Sequence, residues 1–572
     1  MTSILKKLLL LFLILILAGC GSGNSSQINN PTITLVTPVS SVIAAGSSLQ
    51  LQATISGSNN TTVLWFVNNI PGGNSIVGTI SPQGLYTAPN LPTQNGSVLI
   101  SASPQVFPTA ITSIIIGITF ANVSLGGNYV FSLNGAQAGS PWATTGSFTA
   151  NGDGTISNGI EDINGPSGIS TALPFNGSYL INANGQGIAT FTSAQGSVTL
   201  GFTLNTQGQA VVMRTDSGNV ATGTFYPQLS TALTLTNLNA PYVFSFTGSD
   251  ASGNLLNTIG TFFTNGSTTL TYAEEDLNDG GTTANQLFSG TYSIGSNGRG
   301  TAMFTDSTGT RTYAFYIVSP TQLQFIEIDN LGHLSGTVYQ QQSVISTTVL
   351  IGNYVFYAAG SIGNLAYGTA GGFATNSTTI GNINAGTNDI NETGVLASNP
   401  TLTGSFTTGA SGRGTITLTG INGATNYVYY FISPSAALLL TTDPAINASG
   451  ELFSQIGGFS TASLVGYYTL TLTSPVNTAP ASSAVGLLTL NGAGALAGFV
   501  NTNLNGTSSG QLSVTGTDTV TAATSTTLTR GLATLITSGG TTTNFVFYPI
   551  SSNAVIMLGN GPPVVATLVS QY

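Results

Sequence analysis

From Leu125 to its end the chain repeats one pattern four times, and this repetition restricts the possible folds more than any other feature. The segments LGGNYVFSL, LNAPYVFSF, LIGNYVFYA and LVGYYTLTL open the copies. Their tyrosines, Tyr129, Tyr242, Tyr354 and Tyr468, stand 113, 112 and 114 residues apart. A second landmark keeps the same phase: NGSYLINANGQG, SGTYSIGSNGRG and TGSFTTGASGRG, with SGQLSVTGTDT as a degraded fourth form. A third is a closing segment, GTFYPQ, GTVYQQ or GELFSQ, ending at Gln228, Gln341 and Gln455, and the chain itself ends ATLVSQY. Three landmarks in one phase define four tandem copies of a single structural unit.

Each copy reads as eight short strands. In the second these are PYVFSFTG, NTIGTFFTN, TTLTYAEED, QLFSGTYSI, GRGTAMFTD, RTYAFYIVS, QLQFIEID and LSGTVYQQ. Asn-Gly, Ser-Gly, Thr-Gly and Ser-Pro pairs punctuate them, as tight turns require. No helical period is sustained after the first twenty residues. Eight sequential antiparallel strands in about 110 residues fit a small up-and-down barrel. An open meander or sandwich is the alternative. A propeller is disfavoured, because a repeat of this length far exceeds the usual blade of about 40–50 residues. The expected fold is all-β: an N-terminal sandwich, then β repeats at 121–228, 229–341, 342–455 and 456–572.

The first twenty residues have a different character. Lys6 and Lys7, the only lysines, precede an apolar run from Leu8 to Leu17, which is too short to span a bilayer comfortably. Leu17-Ala18-Gly19-Cys20 follows, and Cys20 is the only cysteine. This segment resembles a bacterial lipoprotein signal peptide with its lipobox. The resemblance implies a signal peptide at 1–19, export, cleavage before Cys20, and lipid on the Cys20 sulfur. Several acyl chains hold a protein at a membrane stably, where one binds only reversibly. Gly21 after Cys20 implies sorting to the outer membrane if the host has two. Residues 20–30 carry the lipid and a flexible leash, GSGNSSQINN.

Residues 31–120 form the N-terminal sandwich. SSLQLQATISG, TTVLWFVNN, GTISPQGLYTAP and GSVLISASP alternate between turn signals. Ala45-Gly46, Trp65 within VLWFVN, and Gly84-Leu85-Tyr86-Thr87-Ala88-Pro89 resemble bacterial Ig-like domains of surface proteins. That resemblance implies a disulfide-free sandwich with Trp65 buried between its sheets. The whole layout resembles surface lipoproteins of environmental bacteria that carry Ig-like domains followed by uncharacterised β repeats.

Charge narrows the partners. Beyond Lys7 the basic residues are Arg214, Arg299, Arg311, Arg413 and Arg530, against 17 acidic residues. A lysine-free acidic chain cannot neutralise a nucleic-acid backbone, and anionic lipid does not attract it. Its expected partners are the membrane, through the lipid, and a surface protein or glycan.

Chemistry-bearing residues are sparse. An acidic stretch recurs in phase: Glu161-Asp162-Ile163-Asn164, Glu275-Asp276-Leu277-Asn278, Asn388-Asp389-Ile390-Asn391 and Thr502-Asn503-Leu504-Asn505. Asp-x-Asn offers hard oxygen ligands to Ca²⁺, and the densest copy, Glu274, Glu275 and Asp276 with Asp279, is the metal candidate. The plainer reading is an Asx turn closing the third strand. Neighbours on a strand face opposite ways, so the run does not make a facing carboxylate pair for glycoside hydrolysis. His333 is the only histidine, and it reads as a solvated loop residue. Arg299 and Arg413 share a Gly-Arg-Gly bend, with Gln186 in the first copy and Asp518 in the fourth.

The aromatic residues Tyr242, Phe262, Tyr292, Tyr313, Phe315 and Tyr316 either fill a barrel or line a pocket. A transmembrane barrel, suggested by the terminal Tyr572, is set aside, because the last segment only repeats a closing strand already used three times. The expected protein is not an enzyme. It is a lipid-anchored envelope rod with a structural or adhesive role, presenting repeated modules away from the membrane. The alternative is a lipoprotein that binds a small molecule or glycan in its barrel interiors.

Overall fold

The structure is a computed structural model that describes residues 30–570, apart from 37, 39, 230–233, 282, 296, 343–349, 364, 376–380, 393, 400, 410, 421–422, 475–481, 524–527 and 562–564. The signal segment, Cys20 and nearly all of the leash lie outside the described residues. The chain divides into two units. The smaller takes in the residues before 44 together with 48–88 and 97–117, and the larger holds the four copies.

The smaller unit is built of short antiparallel strands. Thr32–Val36 pairs with Gln52–Ser56, and Ser97–Pro104 pairs with both Val63–Val67 and Thr112–Thr119. A four-stranded sheet contains Ser48–Gln50, Leu85–Thr87, Gly78–Ile80 and Gly73–Asn74. Trp65 and Tyr86 are buried, and the Tyr86 hydroxyl donates to the Val77 carbonyl at 2.8 Å. Gly84 has φ +83°, and a Cβ there would sit 3.0 Å from the Trp65 ring. The glycine of GLYTAP therefore supplies both the left-handed turn and room for the tryptophan.

In the larger unit the first, second and fourth copies are closed up-and-down antiparallel barrels of eight strands, and the third is a nine-stranded antiparallel sheet in which Leu365–Thr375 makes an additional pairing with Asn382–Glu392. The first runs from Gly126–Gln137 to Asn219–Pro227, the second from Pro241–Ser249 to Ser335–Gln340, and the fourth from Val465–Thr473 to Val565–Ser570. In each, strands adjacent in sequence pair, and the last pairs with the first. All eight segments read in the second copy are strands. The third copy divides its fourth strand into Val395–Asn399 and Thr403–Thr408, which both pair with Asn382–Glu392, and Ile446–Ser454 returns to Gly352–Ile362. Closure of the first, second and fourth copies pairs each strand on both sides, which removes sheet edges there.

Aromatic rings fill the interiors. In the second barrel Tyr242, Phe262, Tyr292, Tyr313 and Phe315 belong to one buried cluster with Phe244, Phe246 and Phe325. The void they leave is only about 20 Å³, too little for an organic ligand. Gly300 shows how the fit is made. A Cβ on it would lie 2.1 Å from the Phe315 ring, and Gly187, Gly414 and Gly531 stand in the same relation to Phe202, Tyr429 and Phe547.

The outer faces are apolar too, because the barrels pack on one another. On Thr310–Ser319, Tyr313, Phe315 and Ile317 face inward while Tyr316 and Val318 cluster with Val130 of the first barrel. Val243 and Ile259 of the second barrel meet Val428, Tyr430, Leu438 and Leu440 of the third. Val355 and Ala370 of the third meet Val546, Tyr548, Ile556 and Leu558 of the fourth. The fourth barrel then returns to the first: the Gly218 amide donates to the Gly506 carbonyl at 2.9 Å. A Cβ on Gly506 would lie 2.5 Å from Gly218 Cα, so only glycine permits this approach. The expected string of modules is thus corrected to a closed cycle of four. One group gathers three of them: Glu451 of the third barrel accepts from Tyr357 at 3.3 Å and interacts electrostatically with Tyr226 of the first barrel and Tyr339 of the second.

Candidate functional site

The acidic stretch lies on the third strand of each barrel, and alternation along that strand gives its residues separate tasks. The first position faces its own barrel. Glu161 accepts from Thr144 Oγ1 at 3.0 Å, and Glu275 accepts from Thr258 Oγ1 at 2.9 Å and Gln286 Nε2 at 2.8 Å. The second position faces the next barrel, where an arginine and a tyrosine hold it. Asp162 takes Arg299 Nε and Nη2 at 2.7 and 2.6 Å and the Tyr316 hydroxyl at 2.5 Å. Asp276 takes Arg413 at 2.7 Å through both nitrogens and Tyr430 at 2.6 Å. Asp389 takes Arg530 at 2.7 and 2.8 Å and Tyr548 at 2.5 Å. These are two-pronged, charge-assisted contacts, the strong kind.

The fourth position also crosses over. Asn164 donates to the Glu327 and Gly332 carbonyls, Asn278 to those of Thr441 and Ile446, and Asn391 to those of Gly559 and Gly561. The closing glutamines do the same: Gln228, Gln341 and Gln455 donate to the Ile317, Phe431 and Pro549 carbonyls at 2.8, 2.8 and 2.6 Å. The Gly-Arg-Gly bend and the closing glutamine are therefore junction landmarks, whereas the opening tyrosines Tyr129, Tyr242, Tyr354 and Tyr468 fill their own barrels. Gly298-Arg299-Gly300 is read in full here: Gly298 has φ +79° in the turn, Arg299 reaches the preceding barrel, and Gly300 makes room for Phe315.

The candidate metal residues are engaged separately. Asp276 is held by Arg413 and Tyr430, and Glu275 by the interior of its barrel. Glu274 accepts from Ser411 Oγ at 2.8 Å, and Asp279 accepts from the Gly281 amide at 3.0 Å. Among the described residues, no three His, Cys, Asp or Glu side chains converge in a way that could hold a metal ion. His333 is half-buried, with Nδ1 3.4 Å from Ser249 Oγ, rather than solvated.

The fourth-copy alignments are corrected in two places. Asn503, not Asn505, matches Asn164, because Asn503 donates to the Arg214 and Asn219 carbonyls at 2.8 and 2.7 Å. Arg530, not Asp518, matches Arg299. The junction between the fourth and first barrels then has Asn501 in the aspartate position, Gln186 in the arginine position and Thr203 in the tyrosine position. All three charged or phenolic partners are replaced together. Asn501 Oδ1, Gln186 Nε2 and Thr203 Oγ1 are buried without partners, which costs about 1–3 kcal/mol per group. This seam is the weakest junction. In hydrogen exchange, peptides carrying the Gly218 amide at the seam are expected to exchange about tenfold faster than those carrying Leu229 or Gln342, which bond across the charged junctions. Equal protection at all three would contradict a weak seam.

Against this seam lies a cavity of about 240 Å³ at the mouth of the first barrel. Its lining includes Trp142, Glu161, Phe191, Gln195, Arg214 and Asp216. The Arg214 guanidinium lies 4.3 Å above the Trp142 ring and pairs with Asp216 through Nε at 3.0 Å and Nη2 at 2.6 Å. Its side chain is 4% exposed, and Nη1 has no partner. Burial raises the Glu161 carboxyl to about 7, against opposing hydrogen bonds from Thr144 and Ser193. The other copies lack this pairing of residues: Glu327 occupies the Arg214 position in the second barrel, where it binds Arg311 at 2.8 Å. Sequence reading missed Arg214 and Trp142 because neither repeats. Their absence from the other copies is the signal that marks them.

No protein-family model matches this chain, and no curated protein matches it. Solved structures similar to it include intact Ap-TbpB with its N and C lobes, at 10% identity over 63% of this chain and 83% of that one, with TM-score 0.16. A vaccine-antigen variant of transferrin binding protein B from Haemophilus parasuis is 12% identical over 77% of this chain and 94% of that one, with TM-score 0.16. Isotype 1 transferrin binding protein B from serogroup B Neisseria meningitidis is 9% identical over 63% and 83%, with TM-score 0.16. The barrel assignment rests on strand pairing and not on these likenesses.

Proposed function

We propose that this chain is an exported, lipid-anchored protein of the bacterial cell envelope, and that its four-barrel block is a stiff platform for recognition without catalysis. The observation that carries the reading is the junction chemistry. Three Asp–Arg–Tyr contacts and a complete set of amide contacts hold the barrels in fixed register, as a presenting scaffold requires and as independent beads do not. Membrane attachment is assigned to Cys20 through the lipobox resemblance. Full-length protein expressed in a host with two membranes is expected in the membrane fraction, and Cys20→Ser is expected to move it to the soluble fraction. A Cys20→Ser chain that stays membrane-bound would sink the anchor.

A second reading, binding of a small molecule or glycan, is favoured by one observation. The first barrel keeps a polar cavity at its mouth where the second barrel is filled.

A further inference from the structure

We propose that the cavity at the mouth of the first barrel binds one neutral, hydroxyl-rich ring: a single sugar residue, free or at the end of a glycan. The inference rests on the binding reading above and adds the class of ligand. Three observations carry it.

The first is an unspent donor. Arg214, which lines the cavity, uses Nε and Nη2 on Asp216, while its buried Nη1 has no partner. A buried donor without an acceptor is costly, and a ligand oxygen relieves that cost. The second is the balance of charge. The lone guanidinium is already neutralised by Asp216, and Glu161 adds a second carboxyl beside it. With Asp216 offsetting Arg214 and burial holding the Glu161 carboxyl toward its neutral form, an anionic or a cationic ligand would each be desolvated without a free counter-charge. A neutral ligand avoids both penalties.

The third is the mixture of surfaces. Hydroxyls both donate and accept, matching the serines, amides and carboxyls around the opening. Phe191 and Trp142, the latter with one face under Arg214, line the cavity with apolar ring surface against which the C–H side of a sugar ring packs. At about 240 Å³ the cavity is smaller than a typical drug-sized pocket and suits one ring. The site occurs in one copy only, so it binds once per chain.

The chain holds two tryptophans, which makes a direct test available. In a Trp65→Phe background Trp142 is the only tryptophan. The full-length chain, in a sugar-free detergent, is titrated with glucose, galactose, mannose and N-acetylglucosamine, and with galacturonate and glucosamine as charged counterparts. At least one neutral sugar is expected to give a saturable change in Trp142 emission. Arg214→Met should weaken it at least tenfold. Gln195 is exposed at the rim, and Gln195→Phe should block entry without touching the core, so it remains informative if the arginine variant fails to fold. Tighter response to galacturonate or glucosamine than to any neutral sugar would overturn the proposed class and leave the binding reading standing. No saturable response to any of the six, or an unchanged response in Gln195→Phe, would overturn the proposal. Native mass spectrometry of chain purified from its own host then separates the two readings. An added mass that is not a sugar keeps binding, and a bare mass removes it too.

Discussion

Asp276→Asn is expected to destabilise the folded chain by about 3 kcal/mol, because it strands Arg413 at a buried junction. The Asp276 side chain is 5% exposed and that of Arg413 is 28% exposed, so solvent screens the pair only in part. Arg413→Gln alone should cost a similar amount, leaving a buried carboxylate facing a neutral amide. The double variant should cost less than the sum of the two, by about 2 kcal/mol, since it removes both charges. The fourth junction already carries this neutral pair in Asn501 and Gln186, so the arrangement is compatible with a closed cycle. The measurement is the midpoint of the first urea transition in the three variants and the parent. A coupling near zero would mean that apolar contact alone holds the barrels together. Because the pair is largely buried, 1 M salt should change the result little.

The second large effect concerns Glu161 and has a definite sign. Burial holds its carboxyl near 7, against an ordinary value of 4.5. The folded chain therefore binds this proton more tightly than the unfolded chain does. Below about pH 4.5 both states are protonated, and the group contributes nothing. As pH rises from 4.5 to 7, the unfolded state gives up its proton first and stability falls. Above 7 the full cost of burying the charge is present, on the order of 3 kcal/mol. Glu161→Gln keeps a partner for Thr144 and carries no charge. It is expected to be more stable than the parent by that amount at pH 8 and equal to it at pH 4. Parallel stability-against-pH curves for the two chains would show that Glu161 is not held in its protonated form.

The legible part of this fold lay in its repetition. Tyr129 and its three counterparts, the Gly-Arg-Gly bend and the closing glutamines predicted four modules, and the turn residues between alternating strands predicted eight strands in each. Closure of the barrels was the favoured reading. What was misread was the relation between modules. TRTYAFYIVS and NYVYYFIS are apolar without alternation, and a strand that is apolar on both sides is buried on both faces. Read that way, Tyr316 and Tyr430 announce a neighbouring barrel, since one face of the strand already suffices to fill its own. The acidic stretch reads first as an Asx turn and second as ligands for an ion. Asn278 and Asn391 do accept from the Gly280 and Gly394 amides, but Asp162, Asp276 and Asp389 recur because each meets an arginine in the following copy. The loss of the carboxylate in the fourth copy was visible, though its position was read as Asn503 and not Asn501. So was the loss of the arginine at Gln186, but nothing in a linear reading joined positions more than 300 residues apart.

Sequence alone determined the class of structure, the number of modules and the eight-strand plan that three of them keep, because all of these depend on local periodicity and short-range order. Only the tertiary structure decided that the four barrels close into a cycle, that three junctions are charged and one is neutral, and that a cavity opens at the mouth of the first barrel beside Arg214. These depend on which side chains meet across 89 to 289 residues of chain, and a repeated pattern is equally compatible with a string and with a ring. Packing of the outer barrel faces chooses between them. The apolar outer sides of the first, sixth and seventh strands lose contact with water only when the next barrel covers them.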